Sequence, residues 1–422
     1  MRDTASALGS NIGYNHNPAP SSRPETFHVD LRTVTVRDVD ALTMHRVAWD
    51  RLAWEAPQKL PFLLSGWVNA FLRHRLKPNE RWFCSFIYAS ERLVGVLPVI
   101  VTPHSLFGSS RPTLRTPYDA HTPSGDVLLA PDCALAAFQA LLAEVGRQEP
   151  THLGFDFKAV RRNSPLWAGL SDECQDYVMC LGLRSMFSFL DVRGDFEDYL
   201  ASLGSIPKNL RRYRKKLEGR GRVSVEVQTS AAPSEEFLAE YLALEASGWK
   251  GRNGTAMRDD PNTIAFYEAL VRNFTAQGWW EWHAVRVDDC LVAARMAIRC
   301  GRSLLLPKIA FNEDFADCRP GMIVTGEVFR DAFSRPDLDE VNHISDADAH
   351  RLWHMPRDEY VDVHLIRRAA LPMLCSLPRI LMQSAYQKYV RPHIPVAVKR
   401  VYRKFERRGD RKPRRASDAR RQ

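Results

Sequence analysis

The chain is 422 residues long, 45% hydrophobic and 26% charged. That balance excludes a disordered or fibrous protein, and the length exceeds one ordinary core, so two domains with tails are expected. The formal net charge of +9 belongs to the end of the chain: the 32 residues from Arg391 hold 13 Lys/Arg against 3 Asp/Glu, and the rest is close to neutral. A nucleic-acid-binding body is thereby disfavoured, and a tail that meets an acidic partner or a membrane surface is expected instead.

Residues 1–25 are polar and rich in Pro, Ser and Asn, lack the apolar core of a signal peptide, and read as a disordered leader. Helical patterns follow at Val39–Trp54 and Gly66–Leu76. Two strands, Trp82–Ala89 and Leu93–Thr102, are joined by Ser90-Glu91-Arg92. Pro103–Pro123 is loop-dominated, Ala134–Gly146 is helical, and His152–Phe157 and Met186–Val192 are strand-like. The eight cysteines form no Cys-x-x-Cys pair, which predicts a reducing, cytoplasmic setting with no zinc finger. No apolar run approaches the roughly 20 residues that span a bilayer.

The second half opens with Asp195 as a helix N-cap, then a basic helix from Ser205 with Pro207 in its first turn. Val223–Gln228 is a strand and Ser234–Ser247 a helix stopped at Gly248. Asp260-Pro261 starts another helix, closed by Gly278. Gly278–Phe333 is the most informative stretch. Three strands are joined by turns at Asp288-Asp289 and Cys300-Gly301, and Pro320-Gly321 then opens a helix. Free N–H groups and the positive dipole end at such a mouth suit an anionic group. Gly326 on that helix predicts close packing on the sheet. Asp339–Ile344 and Asp362–Ile366 are further strands. Ala89–Val96 aligns with Val287–Ala294, an internal echo that suggests two fused copies of one fold. The alternation of helix and strand gives an α/β (α+β) chain with mixed sheets flanked by helices.

In order, the basic helix PKNLRRYRKKLEGRG, the helix ending Glu245…Gly248-Trp249-Lys250, the strand Leu291–Ala294 and Lys308…Phe311-Asn312-Glu313 before Pro320-Gly321 resemble the CelD/FemAB-like branch (BioF2-like) of the GNAT acyltransferases. The resemblance covers roughly Phe27 to Arg368. It implies tandem GNAT-like domains, 26–193 degenerate and 194–368 bearing the site, with a basic helical and disordered tail over 369–422. It further implies acyl transfer, with acetyl-CoA or another acyl-CoA as co-substrate, to an amino group or sugar hydroxyl of a bacterial envelope, exopolysaccharide or cellulose pathway. FemAB-like relatives use aminoacyl-tRNA instead, and a non-catalytic scaffold for a polysaccharide synthase is the remaining alternative. The chain departs from the branch in having Phe311-Asn312 where a tyrosine-aspartate pair is usual. It has Ser345-Asp346…Trp353 where Gly-Asp…Trp is usual, and keeps only Arg319-Pro320-Gly321 of the pyrophosphate loop.

Acyl transfer needs a neutral amine, a polarised carbonyl and a proton for the leaving group. A splayed strand end at Leu305–Ala310 is placed to polarise the carbonyl, with Leu306 and Ile309 beside the donor. Arg319, Gly321 and Met322 form its phosphate mouth. Lys308 is a cation in an apolar strand, which predicts a cleft. Asp346 is the preferred general base, with Glu313 and His350 as further acid/base candidates; Asp346 and His350 would share one face of a short helix. Trp249, Lys250 and Trp353 are substrate-binding candidates. No metal is expected, and DNA is not an expected partner. Beyond Arg368 the apolar and cationic mixture suits either a peripheral membrane helix or a flap on the catalytic domain.

Overall fold

The computed structural model describes residues 30–106, 109–170, 176–229, 234–390 and 393. The expectations for the leader at 1–25 and, His393 aside, for the basic segment from Arg391 lie outside the described residues.

Apolar runs punctuated by tight turns become the strands of one sheet. The first half contributes β1 (Leu31–Val36), α1 (Arg46–Glu55), α2 (Ser65–His74), β2 (Arg81–Ala89), β3 (Arg92–Thr102), β4 (Thr113–Arg115), β5 (Leu128–Leu129), α3 (Ala134–Gln148), β6 (Gly154–Arg161), α4 (Leu166–Gly169) and β7 (Tyr177–Asp191). The second contributes α5 (Phe196–Ser202), α6 (Ile206–Glu218), β8 (Val223–Gln228), α7 (Ser234–Ser247), α8 (Trp249–Arg252), α9 (Pro261–Thr275), β9 (Trp280–Val287), β10 (Cys290–Cys300), β11 (Ser303–Phe311), α10 (Pro320–Phe333) and β12 (Glu340–Asn342). After α11 (Asp348–Arg351), β13 (Arg357–Arg367) and α12 (Ala370–Ala385) close the described chain. The sheet order is β1-β2-β3-β4-β6-β13-β7-β12-β11-β10-β9-β8, with β5 on β3. The strand expected at Met186–Val192 begins already at Tyr177, because β13 pairs with it from Tyr177 to Ser188.

The internal echo is a repeated piece of geometry. Leu93 and Gly95 pair with Tyr88 and Ile87, leaving Val94 as the extra residue. Leu291 and Ala293 pair with Arg286 and Val285, leaving Val292. A bulge at the same aligned position in both hairpins adds the same local twist. Each half also runs an antiparallel hairpin into a parallel pair, β4 with β6 and β11 with β12. Asp288 and Asp289 both have positive φ, the geometry of a turn that matches strand twist. Gly301 (φ +59°) sits so near Trp54 O that a Cβ would stand 2.7 Å away, so only glycine fits this turn.

The two halves share a core. Trp67 of α2 lies edge-on to Phe266 and stacks near Phe274 of α9. In the second half, α7 covers one face of the sheet through Phe237 and Tyr241 against Trp282. On the other face α10 packs Ile323 and Val324 against Val285 and Val292. Gly326 corrects one expectation: its near neighbours are Trp353 and Leu210 of α6 rather than the sheet, so its bare surface seats a helix and an indole.

Candidate active site

Two adjacent strands part company at the centre of the second half. β11 and β12 pair in parallel over Ser303–Leu305 and Glu340–Asn342 only. Between the pairs Met296↔Lys308 and Ile298↔Leu305, Ala297 faces two residues, Leu306 and Pro307. This bulge bends β11 toward β10, and Pro307 has no N–H to extend a ladder. The chain after β12 turns the other way, His343 N–H donating to Ser188 O on β7 at 3.0 Å. From Leu306 to Phe311 one edge of β11 therefore has no strand partner among the described residues, as the sequence suggested for Leu305–Ala310.

Beside the fork lie buried polar groups that are incompletely paired among the described residues. Asn342 accepts from Ile344 N–H at 2.7 Å, but its Nδ2 has no partner, nor does His343 Nε2. Arg295 is buried under α10 and donates through Nε and Nη2 to Thr325 Oγ1 at 3.2 and 3.0 Å. No carboxylate among the described residues pairs with it, and burial pushes its pKa down to about 10. The rings of His343 and His350 lie 4.2 Å apart. Burial, then Arg295 and His350, hold His343 well below its ordinary value, so it is neutral at pH 7.

The mouth of α10 lies beside the free edge. Arg319 is left-handed (φ 50°, ψ 51°) and exposed, Pro320 opens the helix, and Gly321 borders Ile309 and Phe311. A Cβ on Gly321 would stand 3.5 Å from Ile309 Cδ1, an ordinary contact that leaves the mouth uncrowded. Met322 and Ile323 direct their N–H groups to Arg319 O. The mouth offers the N–H of Gly321 and the Arg319 guanidinium; Pro320 offers no donor. The basic helix α6 lies alongside, its Lys216 pairing with Asp317 at 2.6 Å and Arg214 with Glu327 at 3.1 Å.

Lys308 points to the opposite face. Its ammonium has no hydrogen-bond or ion-pair partner among the described residues. Burial and then Lys250 lower its pKa, partly offset by Glu245 and Asp119. Lys250 is held by Glu245 at 2.5 Å, and Glu245 also accepts from Met257 N–H at 2.8 Å. First-half residues complete this region. Arg75 pairs with Asp119 at 2.7 Å and with Asp260 at 3.2 Å, and His121 lies 3.2 Å from the Tyr267 hydroxyl. Burial first, and Lys308 next, push His121 down to about 4.

The structure thus brings Lys308, Lys250, Trp249, Glu313 and Ile309 into one neighbourhood; a cavity of about 30 Å³ touches the last four. Trp249 is 53% exposed. Glu313 is engaged in holding α8, accepting from Trp249 N–H at 2.8 Å and Arg252 at 2.6 Å. The remaining candidates lie elsewhere. Leu306 is core beneath α10, and Trp353 is buried edge-on to Phe329. Asp346 pairs with Arg357 at 3.0 Å. It precedes α11, so the helical face expected for Asp346 and His350 does not form; His350 Nδ1 instead accepts from Ala347 N–H at 3.3 Å. Arg295, Asn342 and His343 were missed. Arg295 carried the same signal as Lys308, a cation inside an apolar strand (LVAARMAI).

Residues 205–344, which hold α6 through β12, match the family model described as acetyltransferase (GNAT) domain. The chain carries a GNAT-type acyltransferase domain. Among solved structures, FemX is similar at TM-score 0.54 and 12% identity, over 75% of this chain and 95% of that one. A tandem GNAT protein from the clavulanic acid biosynthesis pathway is similar at TM-score 0.41 and 12% identity, over 81% and 99%. The likeness to FemX is one of fold. No curated protein matches the sequence. The protein is an acyltransferase of mixed α/β fold, and no described helix is long and apolar enough to cross a membrane.

Proposed function

We propose that this acyltransferase takes its acyl group, most simply acetyl, from acyl-CoA and delivers it to an amino group by direct transfer. The observation that carries this reading is the fork. A free backbone edge on β11 lies between the mouth of α10 on one face and the Lys308 region on the other. The residues present fit a CoA thioester. Orphaned donors at Asn342 and the β11 edge suit its carbonyl and amides, and Gly321 with Arg319 suits its phosphates. The bound thioester supplies the activated acyl carbon. The β11 amides polarise the carbonyl, and Lys308, its pKa lowered by burial, takes the proton from the attacking amine as the C–N bond forms and the C–S bond breaks. Lys250 and Glu245 hold the acceptor side, and Trp249 borders its entrance. On the resemblance set out above, the acceptor amine belongs to a saccharide of an envelope or exopolysaccharide pathway, with residues 194–368 as the catalytic domain. Titration calorimetry with acetyl-CoA tests the donor: micromolar binding weakened by Gly321→Val is expected, and no heat at millimolar ligand would remove it.

A second donor, aminoacyl-tRNA, is favoured by one observation. Lys208, Arg211 and Lys215 of α6 meet no carboxylate among the described residues, a stripe that suits a polyanion. Gel-shift with charged tRNA separates the two: salt-sensitive binding lost on Lys208→Glu/Arg211→Glu would favour tRNA.

A further inference from the structure

The C-terminal helix α12 carries an apolar stripe on its exposed side. Its sheet-facing side brings Cys375, Ser376, Arg379 and Ile380 to a cavity of about 500 Å³. That cavity is lined with charge. His364 Nδ1 meets Asp156 Oδ1 at 2.6 Å, and Lys158 meets Asp362 at 2.9 Å. The opposite stripe of α12 is apolar and bare: Leu374 is 74% exposed, Leu381 57% and Met382 67%. Residues 374, 378, 381, 382 and 385 fall on one helical face, and all are exposed. The inner side of α12 is mixed, with Pro372 buried and Met373, Leu377 and Ile380 half-buried, so the outer stripe is a second apolar face left uncovered among the described residues. The following turn (Tyr386–Val390) continues the pattern, with Tyr389 and Val390 also exposed.

We propose that the outer face of α12 docks on an anionic lipid surface, lying in the headgroup region. Charge complementarity selects this occupant. The apolar stripe leads directly into the 32 residues that carry 13 of the chain's Lys/Arg. An apolar helical face joined to a polybasic segment is the pairing that binds negatively charged bilayers, since apolar insertion alone gives weak attachment and the cations add the second anchor. The docking is independent of the acyl donor and of the acceptor.

The test uses the full chain and vesicles of phosphatidylcholine with or without phosphatidylglycerol. Sedimentation is expected with the anionic vesicles, at least tenfold weaker with neutral ones and with 0.5 M salt, as screening requires. Leu374→Asp/Leu381→Asp/Met382→Asp should lose binding at least tenfold while thermal melting is unchanged. In a second measurement, Leu381→Trp fluorescence should be quenched by brominated acyl chains. Failure of the full chain to sediment with anionic vesicles, binding that survives the triple substitution, or an unquenched tryptophan would overturn the proposal. So would a dimer in sedimentation velocity that the triple substitution abolishes, which would assign the stripe to a second copy of the chain.

Discussion

Lys308 is the residue on which the proposed chemistry turns. Its half-buried side chain has no ion-pair partner among the described residues, and Lys250 adds to the effect of burial. A lysine so placed loses its proton below its usual pH, which suits a proton acceptor. Lys308→Gln is expected to lower kcat by 100-fold or more. Lys308→Arg should not restore it, since guanidinium stays protonated; restoration by arginine would show that charge alone is needed. The rate should rise with pH through the lowered Lys308 pKa and level off below the ordinary lysine value. His121 sets a stability effect of definite sign. Its folded pKa of about 4 lies below the unfolded value, so the unfolded chain binds protons first, and its contribution is full above about pH 6.5 and lost as pH falls toward 4. The loss is on the order of 3 kcal/mol. Asp126, wholly buried and raised to about 7, has the opposite slope over that range. The clean readout is therefore wild type against His121→Gln in urea unfolding at pH 7 and pH 4.5. The variant should lose less stability on acidification, and equal losses would contradict the assignment. Residues such as Lys308 and Arg295 announce themselves in sequence as charges within apolar strands. His121 and Asn342 do not, because their burial depends on partners far away in the chain.

At the scale of elements, the hairpins, the helix at Pro320-Gly321 and the caps were legible because each rests on local chemistry. Asp195 accepts from Glu197 and Asp198 N–H groups, and Asp260 from Asn262. The Asp288-Asp289 turn has both residues at positive φ, where Asp costs more than Gly. Asp289→Gly should therefore stabilise the protein by about 0.5–1 kcal/mol, seen as a raised urea midpoint with unchanged slope. The mouth of α10 makes a contrasting prediction. Gly321 has room for one methyl, so Gly321→Ala should leave KM for the donor within about threefold. Gly321→Val should raise it tenfold or more, with melting unaltered. The splay itself was expected from β11, but its cause, the bulge opposite Ala297, was not. A bulge is fixed by pairing register, which no single strand discloses. The same limit explains Asp346: the spacing to His350 is right for a helix, yet the helix starts two residues later.

At the scale of the whole molecule, the α/β class and the tandem repeat could be read from the echo at Ala89–Val96 and Val287–Ala294. The path of the last strand could not. β13 lies between β6 and β7, pairing with Gly154–Arg161 on one side and Tyr177–Ser188 on the other. Sequence order would have assigned it to the neighbourhood of β12. Its place, together with the core shared between α2 and α9, means that residues 30–193 expressed alone should be insoluble or molten. A sharp transition from 30–193 by itself would contradict this.

That late strand also sets a clock on biogenesis. A ribosome emitting this chain exposes the seam between β6 and β7 until the last quarter has emerged. During that interval the first half presents two raw backbone edges to the cell. Synthesis speed and chaperone capture over those residues, more than the strength of any one contact in the finished protein, should govern how much of the polypeptide reaches its native state.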